Sequence, residues 1–360
     1  MFSANPLESA LEAGLRYVRC GGPSITRIRC GKGFRYIGPD RKQLRDPKHL
    51  SRIRSLVIPP AWKNVWICTS PNGHLQAVGI DACGRKQYRY HPRYRQVRDQ
   101  VKFSRMIAFG AVLAVIRRQV KKDLEKPGLP KEKVLATVVR LLETSFIRVG
   151  NDEYAKENDT FGLTTMKGRH VHISGTRLLF QFRGKSGLTH SIELTDRRLA
   201  GIVRRCQELP GYELFQYVDE DGTTRAIDSA DVNQYIHEIA GEDFTAKDFR
   251  TWAGTVLAAQ DLCRLGPSSN QREGKRALVS AVKSVAAKLG NRPATCRKYY
   301  VHPAILDSFL SGALFPAMEE GEQQNAAYGG LGLKPEEYCV MVIIAAHEER
   351  LARQARGQAA

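Results

Sequence analysis

The spacing of apolar residues changes partway along the chain, and this change limits the folds that the chain can adopt. Between residues 17 and 90, short β-prone runs alternate with turns that contain glycine or proline. From Met106 onward, apolar residues mostly recur every three to four positions, which is the period of an amphipathic helix. The sequence therefore predicts an α+β protein, with a small β-rich amino-terminal domain over residues 1–98 and a mainly helical domain over residues 99–360.

A second β-prone segment interrupts the helical part. Within residues 160–194 the apolar period returns to two, and the expected strands cover residues 163–166, 171–173, 177–182 and 188–194. The expected helices around this segment cover residues 106–124, 135–146, 196–206, 229–240, 246–262, 274–289 and 340–351. We therefore expect a small sheet inserted into a helical domain.

The chain carries a strong excess of positive charge. Lysine and arginine number 56 against 37 aspartate and glutamate residues, for a formal net charge of +19. Residues 81–105 concentrate this excess, with eight basic and two acidic side chains interleaved with Tyr88, Tyr90 and Tyr94. Cations contact phosphates, and tyrosine rings pack on sugars or bases. The composition favours a nucleic-acid partner over the alternative of a solvated basic face.

Several classes of protein are disfavoured by what the sequence contains. The first 17 residues include Glu8 and Glu12 and no long apolar run, and no segment reaches the length of a membrane span, so we expect a cytoplasmic protein. Eight cysteines are scattered without a CxxC pair, which argues against a zinc site and against a disulfide framework. Neither a GxxxxGK[ST] loop nor a carboxylate-rich metal site is present, so we expect no cofactor.

The segment from Gly290 to Tyr300 contains a candidate nucleophile. A phenol with a pKa of about 10 is a poor nucleophile at neutral pH, so a tyrosine that attacks a phosphodiester needs cations and directed hydrogen bonds around it. Asn291 and the three basic residues of this segment can supply them. A helix is expected to end at Gly290, and Pro293 suits the first turn of a second helix that would carry Tyr300. Tyr299 is the alternative nucleophile, and the nine-residue spacing from Asn291 favours Tyr300.

Basic residues elsewhere complete a set that suits a phosphoryl transition state. Arg148 follows an apolar helix, and Lys185 lies in a Gly-Lys-Ser-Gly turn between two expected strands. Lys247 and Arg250 are three residues apart on one face of a helix that Thr245 can cap. Each alone could be an ordinary structural ion pair, a solvated turn lysine or a charged helix surface. Together they can stabilise a dianionic transition state without a metal.

The order of these motifs resembles that of the type IB DNA topoisomerases, in particular the compact poxvirus-like branch found in bacteria. The resemblance covers nearly everything from Ile58 to Phe309. The matching segments are Gly84-Arg85-Lys86-Gln87-Tyr88-Arg89-Tyr90, Phe146-Ile147-Arg148-Val149-Gly150, Phe182-Arg183-Gly184-Lys185, Lys247-Asp248-Phe249-Arg250-Thr251 and Tyr300-Val301-His302-Pro303. The resemblance implies a catalytic domain of the tyrosine recombinase and type IB topoisomerase fold.

The same resemblance implies the reaction. Tyr300 would attack one DNA strand to form a 3′-phosphotyrosine, the 5′-hydroxyl would leave, and supercoils would relax before the strand is resealed without ATP. The residues that would clamp the phosphate are Arg148, Arg250 and Asn291. Lys185, with help from Lys247, would protonate the leaving oxygen. Many members of the family carry histidine where this chain has Asn291, and a neutral amide can donate a hydrogen bond but cannot shuttle a proton.

The resemblance also implies a partner and a place of action. Double-stranded DNA would be bound by a monomer whose amino-terminal domain closes over the duplex, in the bacterial cytoplasm with the nucleoid. The DNA-contact residues would be Arg85, Lys86, Gln87, Tyr88 and Tyr90.

Two other functions remain open on the sequence alone. A tyrosine site-specific recombinase shares the arginine, lysine and tyrosine set, but its second arginine motif normally begins with histidine where this chain has Lys247, and its amino-terminal domain is normally helical. A noncatalytic architectural DNA-binding protein would explain the charge but not the ordered motifs.

Overall fold

The computed structural model describes residues 5–31, 33–82, 84–328 and 332–357. The chain divides into two compact units, residues 1–105 and residues 106–360. The fold mixes helices with sheets, as the sequence predicts. The predicted boundary after residue 98 falls inside a long helix, Pro92–Leu124, and the division between the units lies farther along this helix.

The first unit is built on one antiparallel sheet. Its five strands lie in the order β2-β1-β3-β4-β5. In chain order they are β1 (Ser24–Cys30), β2 (Gly33–Ile37), β3 (Lys63–Cys68), β4 (Leu75–Ile80) and β5 (Lys86–Tyr90). Helices α1 (Pro6–Glu12) and α2 (Pro47–Ser55) accompany the sheet. A buried core joins Ile53 of α2 to Ile25, Val65, Ile67 and Ala77 of the strands.

The second unit is mainly helical. Helix α3 (Pro92–Leu124) begins in the first unit and continues into the second. The helices that follow it are α4 (Lys131–Ser145), α5 (Asp152–Asn158), α6 (Arg197–Gln207), α7 (Ser229–Ala240), α8 (Ala246–Leu265), α9 (Gln271–Lys288), α10 (Pro293–Tyr299), α11 (Pro303–Leu310), α12 (Leu314–Tyr328) and α13 (Pro335–Gly357). Strands β6 (Val171–Ser174), β7 (Arg177–Arg183) and β8 (Thr189–Thr195) form the inserted antiparallel sheet, and β9 (Gln216–Val218) pairs with β10 (Thr224–Ala226).

One predicted strand is wrong. Residues 163–165 form a short 3₁₀ helix instead of the expected strand over residues 163–166. The Thr165 hydroxyl accepts a hydrogen bond from the Gly162 amide at 3.0 Å, which closes the turn locally. Leu163, Thr164 and Thr165 are all buried, so the alternation of exposure that a half-buried strand requires is lost.

The start of α3 also differs from the sequence expectation. The helix begins at Pro92, so the polar stretch over residues 96–104, where a domain boundary was expected, is helical. Arginine, glutamine and lysine are good helix formers even without an apolar face, so a charged stretch can extend a helix.

A buried ion-pair network joins three helices of the second unit. The Arg117 guanidinium on α3 donates to both carboxylate oxygens of Glu337 on α13, at 2.7 and 2.8 Å, and to Glu143 on α4 at 2.7 Å. The Glu337 carboxylate also accepts from the Trp252 indole of α8 at 3.3 Å. The network ties α13 to the helix that carries Arg250.

Candidate active site

Tyr300 lies directly after helix α10. Gly290 follows the end of α9 with a φ of +59°, and Pro293 is the first residue of α10, both as the sequence predicts. The helix ends at Tyr299, so Tyr300 is its C-cap residue and not part of the helix as expected. Its amide still donates to the Cys296 carbonyl at 2.9 Å, which holds the cap close to the last turn.

The two adjacent tyrosines lie in different surroundings. Tyr299 is 41% exposed, and its ring is 5.2 Å from the Lys298 ammonium. Tyr300 is half-buried, and the guanidinium carbon of Arg250 lies 5.3 Å from its ring centroid. Both rings lie beside a cation, but Tyr300 is the half-buried one of the two and lies near the guanidinium groups of both Arg250 and Arg148, which suits the candidate nucleophile.

Residues of helix α8 contact the backbone of Tyr300 and fix its position. The Thr255 hydroxyl lies 3.3 Å from the Tyr300 carbonyl and accepts from the His302 amide at 3.0 Å. A Cβ atom added to Gly254 would lie nearer than 3.0 Å to the same carbonyl. These two residues were missed by the sequence analysis, and a glycine inside a helical pattern was the only available signal.

Arg148 reaches the turn that follows α9. Helix α4 ends at Ser145, and Phe146 adopts a left-handed conformation with φ +57°, which redirects the chain before Arg148. The Arg148 guanidinium donates to the Asn291 side-chain oxygen and to the Gly290 carbonyl, the latter at 3.2 Å. Burial lowers the pKa of Arg148, and the nearby Tyr300 hydroxyl opposes this shift. An arginine so placed remains charged at neutral pH.

Arg250 is the most buried cation of the site. Its side chain is 4% exposed, and it donates to the carbonyls of Phe146 and Leu289, the latter at 2.7 Å. Its Nε atom is buried and has no hydrogen-bond partner among the described residues. Burial and the neighbouring Arg148 cation lower the pKa of Arg250.

Two buried donors of the site lack acceptors. In addition to the Arg250 Nε, the Asn291 amide nitrogen is buried without a partner in the described part of the chain. Where the structure is described, Arg148 and Arg250 are paired with carbonyl and amide oxygens and with no carboxylate. Buried donors without acceptors are costly, and an anion with several oxygens would satisfy them.

The two candidate proton donors are exposed. Lys185 lies in a 3₁₀ turn over residues 185–187 between β7 and β8, which confirms its predicted place in a hairpin turn. Lys247 lies near the start of α8, three residues before Arg250, and Thr245 is the N-cap residue of this helix, as predicted. The Thr245 amide and hydroxyl donate to the Asp248 carboxylate at 2.8 and 2.9 Å. Within the described ranges, neither ammonium makes a hydrogen bond or an ion pair.

Strand β5 presents part of the expected DNA-contact set to solvent. Lys86 is exposed, and Tyr88 is 42% exposed. The Tyr90 ring is half-buried and stacks on Tyr88 with centroids 6.0 Å apart. The Tyr90 ring therefore packs beside the exposed Tyr88 ring and supports it from one side.

The other two residues of that set are anchored on one carboxylate. The Arg85 guanidinium donates to Asp81 at 3.0 Å, and the Gln87 amide donates to the same oxygen at 3.0 Å. Asp81 therefore fixes the positions of the Arg85 and Gln87 side chains relative to each other.

The described residues contain no cluster of three His, Cys, Asp or Glu side chains that could hold a metal ion. Over the same residues, no helix is both long enough and apolar enough to cross a membrane. Seven cysteines are free, and four of them (Cys68, Cys206, Cys296 and Cys339) are buried; Cys83 lies outside the described residues.

Comparison with known proteins places this chain in a family. Residues 91–312 match the model of the eukaryotic DNA topoisomerase I catalytic core, and residues 33–81 match that of the bacterial DNA topoisomerase IB N-terminal domain. DNA topoisomerase 1B of Acanthamoeba polyphaga mimivirus is 32% identical over 81% of this chain and 89% of its own length. DNA topoisomerase 1B of Vaccinia virus (strain Copenhagen) is 24% identical over 72% of this chain and 78% of its own length. The resemblance inferred from the motifs is confirmed, and the chain belongs to the type IB DNA topoisomerase family.

Proposed function

We propose that this topoisomerase relaxes supercoiled DNA by transesterification through Tyr300. One observation carries the assignment to these residues: the Tyr300 ring lies beside the Arg250 guanidinium, its hydroxyl is near that of Arg148, and two buried donors of the site lack an acceptor. A phosphodiester has two nonbridging oxygens that can accept from these donors. The proposed catalytic domain has the fold shared by type IB topoisomerases and tyrosine recombinases.

Arg148, Arg250 and Asn291 would hold the scissile phosphate. Neither arginine has a carboxylate partner among the described residues, so a bound anion would stabilise both cations. A guanidinium group can donate two parallel hydrogen bonds to the oxygens of a phosphate. The transition state carries more negative charge on these oxygens than the ground state does, so donors already aimed at them lower the barrier.

The reaction exchanges one ester for another. The phenolic oxygen of Tyr300 attacks phosphorus and loses its proton, the bond from phosphorus to the 5′ oxygen breaks, and that oxygen gains a proton. The phosphodiester bond is replaced by a phosphotyrosine bond of similar kind, so no ATP is needed to reseal the strand. While the 5′ end is free, the duplex can rotate and supercoils are lost.

Lys185 is the proposed donor of the proton to the leaving oxygen. Its exposed ammonium is free of protein partners in the described ranges, and its short turn can reach a bound strand without rearranging the sheet. Lys247 is the second candidate, since it is also exposed and lies one turn from Arg250. Asn291 cannot take this role, because an amide does not titrate near neutral pH.

The first unit would supply further DNA contacts. Lys86 can pair with a phosphate, and the exposed Tyr88 ring, supported by Tyr90, can pack on a sugar or base. Arg85 and Gln87 are held on Asp81 by hydrogen bonds, and we propose that they contact the duplex from this position. We propose that the protein binds duplex DNA as a monomer.

The test is relaxation of a supercoiled plasmid in EDTA without ATP. We expect both positive and negative supercoils to be removed. Tyr300→Phe should abolish relaxation and the covalent protein–DNA adduct seen on a denaturing gel while duplex binding is kept, because the nucleophilic oxygen is gone. Tyr299→Phe is the matched control and should keep both activities. Activity that disappears in EDTA, or the reverse behaviour of the two tyrosine variants, would overturn the proposal.

A further inference from the structure

The ring of His190 fills the space between two turns of the candidate active site. His190 lies on strand β8 directly opposite Phe182 of β7, and the two rings stack with centroids 5.0 Å apart and an angle of 15° between their planes. The same small cleft is lined by Gly184, Arg148 and Leu289. No motif in the sequence points to His190, since a single histidine in a strand carries no signal of its own.

Two glycines approach this ring closely enough to exclude any side chain. A Cβ atom on Gly184 would lie 2.5 Å from the His190 Cδ2 and Nε2 atoms. A Cβ atom on Gly290 would lie 3.0 Å from Nε2 and nearer still to Cε1, and its φ of +59° also favours glycine. Gly184 precedes Lys185, and Gly290 precedes Asn291. The ring is therefore in contact with the backbone on both sides, next to a proposed proton donor and next to a proposed phosphate ligand.

The electrostatic setting keeps this ring neutral. Burial, and then the cations of Arg148 and Arg250, lower the pKa of His190. Its ring nitrogens make no hydrogen bond to a described residue, and the flat face packs on Phe182. A neutral, flat group can fill the gap between the turns without adding a third charge beside the two guanidinium groups.

We propose that His190 is a positioning residue that sets the spacing between the Lys185 turn and Asn291, and thereby places the proton donor relative to the scissile phosphate. The proposal rests on the function proposed above for Lys185 and Asn291. It predicts that loss of the ring harms the proton-transfer part of cleavage more than DNA binding or phosphate contact. Both turns would lose contact with the ring, but Asn291 would keep its hydrogen bond from Arg148.

The experiment measures single-turnover cleavage of a duplex with oxygen or sulfur at the 5′ bridging position of the scissile phosphate. A thiolate leaves without protonation because a thiol has a pKa of about 8.5, whereas an alcohol has a pKa near that of water, about 15.7. His190→Ala should cleave the oxygen substrate about 10- to 100-fold more slowly than the wild-type protein, as expected for a catalytic group displaced by a fraction of an ångström to 1 Å. On the sulfur substrate it should be within about threefold of wild type.

A double variant tests whether His190 acts through Lys185. In a Lys185→Ala background, adding His190→Ala should slow cleavage by no more than about threefold, since the group that the ring places is already absent. His172→Ala is the matched control, because His172 is an exposed histidine on β6 of the same sheet and should leave the cleavage rate unchanged. His190→Leu keeps apolar packing on Phe182 without a flat ring, and it should show the same selective defect if His190→Ala melts below the assay temperature.

Three results would overturn the proposal. The first is that the cleavage defects of His190→Ala and Lys185→Ala multiply in the double variant. The second is an equal defect of His190→Ala on the oxygen and sulfur substrates, and the third is a wild-type cleavage rate for His190→Ala. If Lys185 is not the proton donor, the result is different, because Lys185→Ala would then cleave the sulfur substrate slowly as well. The coupling between the two residues is measured in either case.

Discussion

Gly254→Ala should disable the nucleophile without unfolding the protein. A Cβ atom added at this position would lie 3.1 Å from the Tyr300 Cβ and closer than 3.0 Å to the Tyr300 carbonyl oxygen. Nonbonded contacts of ordinary length are about 3.5 Å, so the cap residue must move away from α8 by a distance on the order of 1 Å. The phenol is attached to this backbone, so its oxygen moves from its place beside Arg250.

The expected size of the effect follows from that displacement. A misplacement of about 1 Å in a reacting group costs roughly 10²-fold in rate. In the helix itself, alanine is favoured over glycine by about 1 kcal/mol, which offsets part of the steric strain. We therefore expect a folded protein that forms the covalent adduct about 100-fold more slowly than the wild type. The assay is single-turnover adduct formation on duplex DNA, followed on a denaturing gel, with thermal melting measured in parallel.

Gly201→Ala is the matched control for this variant. Gly201 is an exposed glycine within α6, and an added Cβ there has nothing within 4 Å. It should raise stability slightly through helix propensity and leave adduct formation unchanged. The reasoning is refuted if Gly254→Ala forms the adduct at the wild-type rate, because Tyr300 would then tolerate the movement that the structure demands.

Three further predictions concern the phosphate site and the ion-pair network. Asn291→Ala should slow adduct formation by about 10² to 10³, the usual loss for one donor to a developing charge; a wild-type rate would remove Asn291 from the site. Arg117→Ala should lower the free energy of unfolding by about 3–5 kcal/mol in urea titrations, because it leaves Glu337 buried without its cation; a loss below about 1 kcal/mol would mean that the network is effectively solvated. Burial would raise the pKa of Glu337, but the hydrogen bonds and charge of Arg117 outweigh it and hold that pKa below its ordinary value. Stability from this pair should therefore be complete above the ordinary glutamate pKa of about 4.3 and fall as the pH drops through the lower folded-state pKa. Glu337→Gln should show a smaller loss of melting temperature between pH 7 and pH 3 than wild type, and an equal loss would contradict this account.

Much of the candidate site can be identified from the sequence because its parts have local signals. Gly290 and Pro293 mark the end of one helix and the start of the next through their own backbone preferences, and the structure has both ends where they predict. Thr245 is the N-cap residue of α8, and the turn that holds Lys185 has a glycine on both sides. These helix ends and turns depend on residues that are close together in the sequence, so they can be predicted from the sequence alone.

Errors occurred where buried surroundings or helix continuity overrode the local pattern. Residues 163–165 have the alternation of a strand, yet all three are buried in a 3₁₀ turn that the Thr165 hydroxyl helps to close. The polar stretch before Met106 lacks an apolar period, yet it is helical because the helix extends through it from Pro92. Tyr300 lies one residue beyond the helix that was expected to carry it.

The sequence by itself determined the family, the order of the motifs, the separation into a β-rich and a mainly helical part, and the types of side chain available for the chemistry. Only the tertiary structure decided which of these side chains meet. Arg148 donates a hydrogen bond to Asn291, which is more than a hundred residues away in the sequence, and Gly254 of α8 packs closely against the backbone of Tyr300. His190 lies between two turns that no local pattern connects. Distances of this kind depend on how helices and sheets pack against one another, and packing is decided by the whole set of buried contacts at once.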